Sequence, residues 1–129
     1  MQPLVTILIT AYNPQVHYLR EAIESAKAQS YPNIEILVVD DGSDNKSMIR
    51  EMASYLGARY LQLTHRGFPY ALAEGMKKAT GKYVAILDHD DKLTTGSIEA
   101  RANAAEKHCA SLVYGDTYLI DRNGNRLFT

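Results

Sequence analysis

The chain has 129 residues, of which 46% are hydrophobic and 22% charged, and its formal net charge is −1. That length suits one domain with a real core. So small a charge gives no electrostatic ground for nucleic acid or an anionic membrane as partner.

A single cysteine, Cys109, excludes an internal disulfide framework and suits a reducing, cytoplasmic setting. The start, MQPLVTILIT, lacks the basic leader and long apolar run of a secretory signal. No stretch reaches the roughly 18 apolar residues that a membrane span needs.

LVTILIT (4–10) is a continuous, β-branched run, the pattern of a strand covered on both faces. Asn13 and Pro14 close it as turn residues. From Val16 to Gln29 the apolar residues Leu19, Ile23 and Ala26 recur at helical spacing. SYPN (30–33) stops that helix, and IEILVVDDGSD (34–44) repeats the first pattern, an apolar strand ending in acid and glycine. A second helix is expected from Lys46 to Leu56, stopped by Gly57. ARYLQLT (58–64) reads as a third strand. FPYALAEGMKKAT (68–80) reads as a helix with Pro69 in its first turn. KYVAILD (82–88) is a fourth strand. TTGSIEARANAAEKH (94–108) is a helix expected to be capped near Thr95 or Ser97. SLVYGDTYLID (111–121) reads as a fifth strand, and RNGN (122–125) as a hairpin turn into RLFT.

Strands that alternate with helices of this length predict βαβ units: an α/β fold with a mostly parallel, Rossmann-like sheet and helices on both faces. The hairpin signal predicts that the sheet becomes mixed near residue 120. Because the chain stops just after that turn, a single domain cut from a longer protein is expected.

In open sheets of this kind, ligands bind outside the carboxyl ends of the strands, near a switch in strand order. Three strand ends carry polar clusters: Thr10–Asn13, Asp40–Asp44 and Asp88–Asp91. In extended chain Asp88 and Asp90 share a side and His89 faces the other way. Paired carboxylates raise each other's pKa unless a cation lies between them. Mg²⁺ or Mn²⁺ takes hard oxygen ligands and needs only one or two carboxylates when phosphates complete the shell. The plainer reading is a strand-to-helix turn with Asp91 bonded to backbone amides. Asp41 could accept a bond from a base N–H or a ribose hydroxyl, while an Asx turn or helix cap falls to Ser43 or Asp44. Tyr12 could stack on a nucleobase or be one of nine ordinary tyrosines. His17, His65 and His108 read as surface residues, His89 as a packing or solvent-facing one, and Asp116 as a strand-end acid.

The words VTILITAYN, LREAIESAKAQSYPNIEILVVDDGSD and GMKKATGKYVAILDHDD span most of residues 4–92. In order and spacing they resemble the N-terminal, nucleotide-binding half of the family 2 glycosyltransferases with the GT-A fold. The resemblance implies inverting transfer of a sugar from a nucleoside diphosphate, with Mn²⁺ or Mg²⁺ as cofactor. Thr10, Ala11, Tyr12 and Asn13 would line the nucleoside pocket, and Asp41 would meet the base edge, uracil being expected. Asp88 and Asp90 would be the DXD pair, the first near ribose and metal, the second on the metal. The implied partners are a UDP-sugar and a glycan or lipid-linked acceptor in polysaccharide biosynthesis. The general base is expected beyond Thr129, as is any membrane association.

Where the family often has Ala-Arg-Asn before the fourth strand, this chain has Ala71, Leu72 and Ala73, so a phosphate contact from that helix would fall to Arg66. A nucleotidyltransferase should carry a glycine-rich, basic loop after the first strand, and TAYNPQ has neither glycine nor lysine. A receiver-type signalling domain should end its first strand in acids, where this one ends in Thr10 and Ala11. A nucleotide-sugar-binding module without catalysis is the remaining alternative.

Overall fold

The computed structural model describes residues 2–127. Four strands and four helices alternate: β1 (Val5–Ala11), α1 (Val16–Lys27), β2 (Ile34–Asp40), α2 (Lys46–Tyr55), β3 (Arg59–Gln62), α3 (Phe68–Lys78), β4 (Tyr83–Asp88) and α4 (Ser97–His108). The strands form one sheet in the order β3-β2-β1-β4, and every pairing is parallel. The order reverses between β1 and β4, so the switch point lies at their carboxyl ends.

β1 is buried along its whole length, which is why its sequence shows no alternation. Val5, Ile7 and Ile9 point to a large core shared with Leu19 and Ile23 of α1, Ile49 and Ala53 of α2, and Ile98 and Ala102 of α4. Each Val, Leu or Ile among them contributes roughly 1.5–3 kcal/mol when buried. Leu8 points the other way, joining Leu37, Val39 and Ala71 in a smaller core beneath α3. Helices therefore cover both faces, three on one side and one on the other. Gly75 lets α3 sit close, since a Cβ there would lie 2.7 Å from Leu8 Cδ1 and 2.8 Å from Val39 Cγ2. α3 packs on β1 and β2, and beside it Ile86 of β4 is 48% exposed.

A polar staple holds the opposite end of the sheet. The Glu35 carboxylate accepts from the Thr6 hydroxyl, Arg59, and both the backbone N–H and hydroxyl of Thr80. Burial pushes the Glu35 pKa up, but these bonds outweigh it and bring the value down to about 2.

Three expectations need correction. The segment 111–121 is not a strand: among the described residues only an isolated antiparallel bridge, Ile120 to Arg126, forms there. Leu112 and Tyr114 are more than four-fifths exposed, and no neighbouring ladder meets the segment's backbone, which a strand requires. Asp116 lies exposed on it. The described sheet is accordingly all parallel rather than mixed. The 122–125 turn does close, with Asp121 N–H donating to Asn125 O and Gly124 at φ +85°; Phe128 and Thr129 lie outside the described residues. Thirdly, neither Thr95 nor Ser97 caps α4. The cap comes from α1's end, where Gln29 Oε1 accepts the Ile98 N–H at 2.9 Å and Gln29 Nε2 donates to Thr94 O at 2.8 Å.

No helix among the described residues is long and apolar enough to cross a membrane.

Candidate functional site

Register decides which side chains meet at the switch point. Thr10 pairs with Val39 on one side and with Asp88 on the other. Thr10, Val39 and Asp88 therefore share a face, the one that carries α3. Neighbouring strands lie about 4.8 Å apart, so Thr10, a buried residue, sits one strand from Asp88. Ala11 pairs with Asp40 and is buried. Its side chain turns to the other face.

The same alternation separates two consecutive acids. Asp40 points to the α1–α2 side, where it is wholly buried. There its carboxylate accepts from the Ser43 N–H at 2.9 Å and from the Tyr60 hydroxyl. Burial, then this bond to the carboxylate, pushes the Tyr60 phenol pKa up. Asp40 thus holds the turn after β2. Asp41, one residue on, emerges on the α3 side.

Asp41 is the anchor of the loop between β3 and α3. Its Oδ1 accepts the Arg66 N–H at 3.0 Å, and its Oδ2 accepts the Gly67 N–H at 3.0 Å. The His65 ring adds a third contact, Nδ1 to Oδ2 at 2.9 Å. Gly42 makes this approach possible. It adopts φ +79°, and a Cβ on it would lie 2.5 Å from the His65 backbone nitrogen. The His65 ring then stacks on Tyr12, with centroids 3.9 Å apart and planes inclined by 16°. Asn13 ties the first loop to the second: its N–H donates to Ser43 Oγ at 2.8 Å and its Oδ1 accepts the Asp44 N–H at 2.9 Å. Neither Ser43 nor Asp44 caps α2, whose N-cap, Asn45, makes no side-chain bond.

At the end of β4 the Asp91 N–H donates to Asp88 O at 3.1 Å. This tight turn gathers Asp88, Asp90 and Asp91, all exposed, with carboxylate oxygens within 4.8 Å of one another. Burial, then repulsion from Asp90 and Asp88, raises the Asp91 pKa. Three converging carboxylates with no basic side chain bonded to them suit a hard divalent cation, whose charge would relieve that repulsion. The His89 ring does not join them, and its Nδ1 is buried without a partner among the described residues.

Comparison with known proteins gives the chain a family. The family model described as glycosyl transferase family 2 matches residues 6–128. The chain belongs to that family. Among its relatives are an uncharacterized glycosyltransferase of Rickettsia bellii, 39% identical across 98% of this chain and 19% of the relative. Another is glycosyltransferase GlyG of Streptococcus pneumoniae serotype 4, 31% identical across 99% of this chain and 44% of GlyG. Among solved structures, S. aureus TarS residues 1–349 with UDP-GlcNAc gives a TM-score of 0.72 at 26% identity, covering 82% of this chain and 32% of that one. The same TarS fragment has been solved with UDP. The sheet and its helices are thus GT-A-like. The chain spans 19% to 21% of the length of the first three rickettsial relatives it matches.

Against this family background, the departure before β4 has a packing explanation. Ala71 is wholly buried, and Leu72 packs against the small core under α3. Arg66, one turn earlier, stands exposed with its guanidinium 4.3 Å from the centre of the Tyr70 ring. His65, read from the sequence as a surface residue, is exposed, but its bond to Asp41 and its stack on Tyr12 were not foreseen. No local signal marked it: β3 ends at Gln62, and the close approach of Gly42 brings His65 to Asp41.

Proposed function

We propose that the chain is the donor-binding part of a glycosyltransferase that moves a sugar from a nucleoside diphosphate sugar, UDP-linked, to an acceptor hydroxyl with inversion. The observation that carries this reading is strand register, which gives Tyr12, Asp41 and Asp88 the parity of one face at the carboxyl ends of three neighbouring strands. The solved TarS complexes with UDP and UDP-GlcNAc support it.

In this reading Tyr12 and Asp41 receive the base, one by stacking and one by accepting its N–H, while Thr10, the backbone of Ala11 and Asn13 form the pocket floor and its strap. Asp88 lies toward the ribose. Asp88 and Asp90 hold Mn²⁺ or Mg²⁺, with Asp91 beside them. A bound divalent cation supplies countercharge to the diphosphate as the sugar–phosphate bond breaks. The chain's own residues bind and orient the donor, which places the anomeric carbon for attack from the opposite side. The acceptor is a glycan or lipid-linked hydroxyl in polysaccharide assembly, activated by a general base. With one exposed cysteine, the domain suits a reducing, cytoplasmic setting.

Calorimetry of UDP binding tests the reading. Binding should depend on Mn²⁺, and Asp90→Ala should abolish that dependence. Equal affinity with metal and with chelator would sink the metal role, and no binding under either condition would sink the donor role.

A further inference from the structure

His65 does two things in the free protein that a planar base would do in the same place. Its ring lies parallel to Tyr12 at stacking distance, and it presents a ring nitrogen to Asp41 Oδ2 at 2.9 Å. A lone pair aimed at a carboxylate would be repelled, so Nδ1 carries the hydrogen and donates. The same nitrogen lies 3.2 Å from the Asp41 backbone oxygen, a second acceptor that favours this tautomer. Rings 3.9 Å apart leave no room for a third between them. Any base that stacks on this face of Tyr12 and donates to Asp41 must therefore move His65 aside.

We propose that His65 is a built-in stand-in for the base, closing the base subsite until a nucleotide exchanges with its ring. The inference rests on the donor-binding reading above and assigns it a gate. The mechanics suit an exchange. The backbone of the loop is held to Asp41 through the N–H groups of Arg66 and Gly67, independently of the His65 ring. The ring itself is half exposed, so it can rotate into solvent while the loop stays in place. Asp41 then keeps its backbone donors and regains room on Oδ2 for an N–H of the base. Tyr12 keeps a stacked ring throughout, so its apolar face is never left bare.

A closed subsite lowers apparent affinity by the fraction of molecules that are open. Removing the competing ring should raise it. UDP titrations with Mg²⁺ on the wild type and on His65→Ala test this, with the His65 ring protons followed by NMR and assigned through the variant. The expected result is tighter binding by His65→Ala, by about three- to tenfold on that relation. In the free wild type the His65 ring protons should be shifted upfield by the Tyr12 ring, and saturation with UDP should return them to free-histidine positions. Equal or weaker binding by His65→Ala would overturn the gate while leaving donor binding intact. So would ring protons that stay upfield at saturation. If neither protein binds UDP, the donor reading fails and the gate falls with it.

Discussion

Gly42→Ala should loosen the β3–α3 loop and take much of the site's order with it. Gly42 sits at φ +79°, where an L-residue pays about 1–2 kcal/mol. The new Cβ would also lie 2.5 Å from the His65 backbone nitrogen. Normal contact needs about 3.5 Å, so the loop must retreat by roughly 1 Å. The Arg66 and Gly67 N–H groups, each 3.0 Å from the Asp41 carboxylate, would then pass beyond bonding range. Bonds to a charged acceptor are worth about 1.5–3 kcal/mol each, and water would replace part of that in so exposed a loop. A net loss of about 2–4 kcal/mol follows, or roughly 8–16 °C in Tm for a domain of this size. Thermal unfolding gives the total, and amide hydrogen exchange gives the place: Arg66 and Gly67 should lose protection first. A Tm within about 2 °C of wild type, with both amides still protected, would refute the reasoning.

Three further outcomes follow from the same geometry. The Glu35 pKa of about 2 lies below its ordinary value of 4.5, so its stabilisation is whole above about pH 4.5 and drains away as pH falls toward 2. Glu35→Gln should flatten that part of an acid denaturation curve and cost about 1–3 kcal/mol at neutral pH. Gly75→Val should destabilise by about 1–3 kcal/mol through overpacking against Leu8 and Val39, measured by urea unfolding. Tyr60→Phe, which removes a donor from the buried Asp40 carboxylate, should cost about 1–3 kcal/mol by the same assay and leave UDP affinity unchanged.

Much of this was legible because each signal was local. The run of β1, the helical spacing of α1 and the glycine after Asp41 each encode their own few residues of backbone, and parallel pairing then aligns three strand ends. What failed to show was set by distant partners. The α4 cap is Gln29, just past the end of α1 and 69 residues away along the chain, and no pattern near Ser97 could announce it. The segment 111–121 has the composition of a strand, yet β-propensity expresses a fit to neighbouring strands, and none of the described strands pairs with it. His65 becomes interesting only when Gly42 admits its backbone.

The two faces of the sheet are unequal, and the inequality explains where the site lies. α1, α2 and α4 fill one face. A polar side chain sent there must be satisfied internally, as Asp40 is by Ser43 and Tyr60. α3 alone covers the other face, and it packs on β1 and β2. Beside it, the surface over β4 stays open enough to leave Ile86 half exposed. Side chains of even number in β1 and β4, and of odd number in β2 and β3, point toward the α3 face. Thr10, Tyr12, Asp41 and Asp88 all have the parity for it. Moving β2 by one residue against β1 would send Asp41 into the packed layer and bring Asp40 out. The difference between an acid held in the packed layer and one that meets the β3–α3 loop, in two residues that are neighbours in sequence and identical in chemistry, is therefore a consequence of strand register.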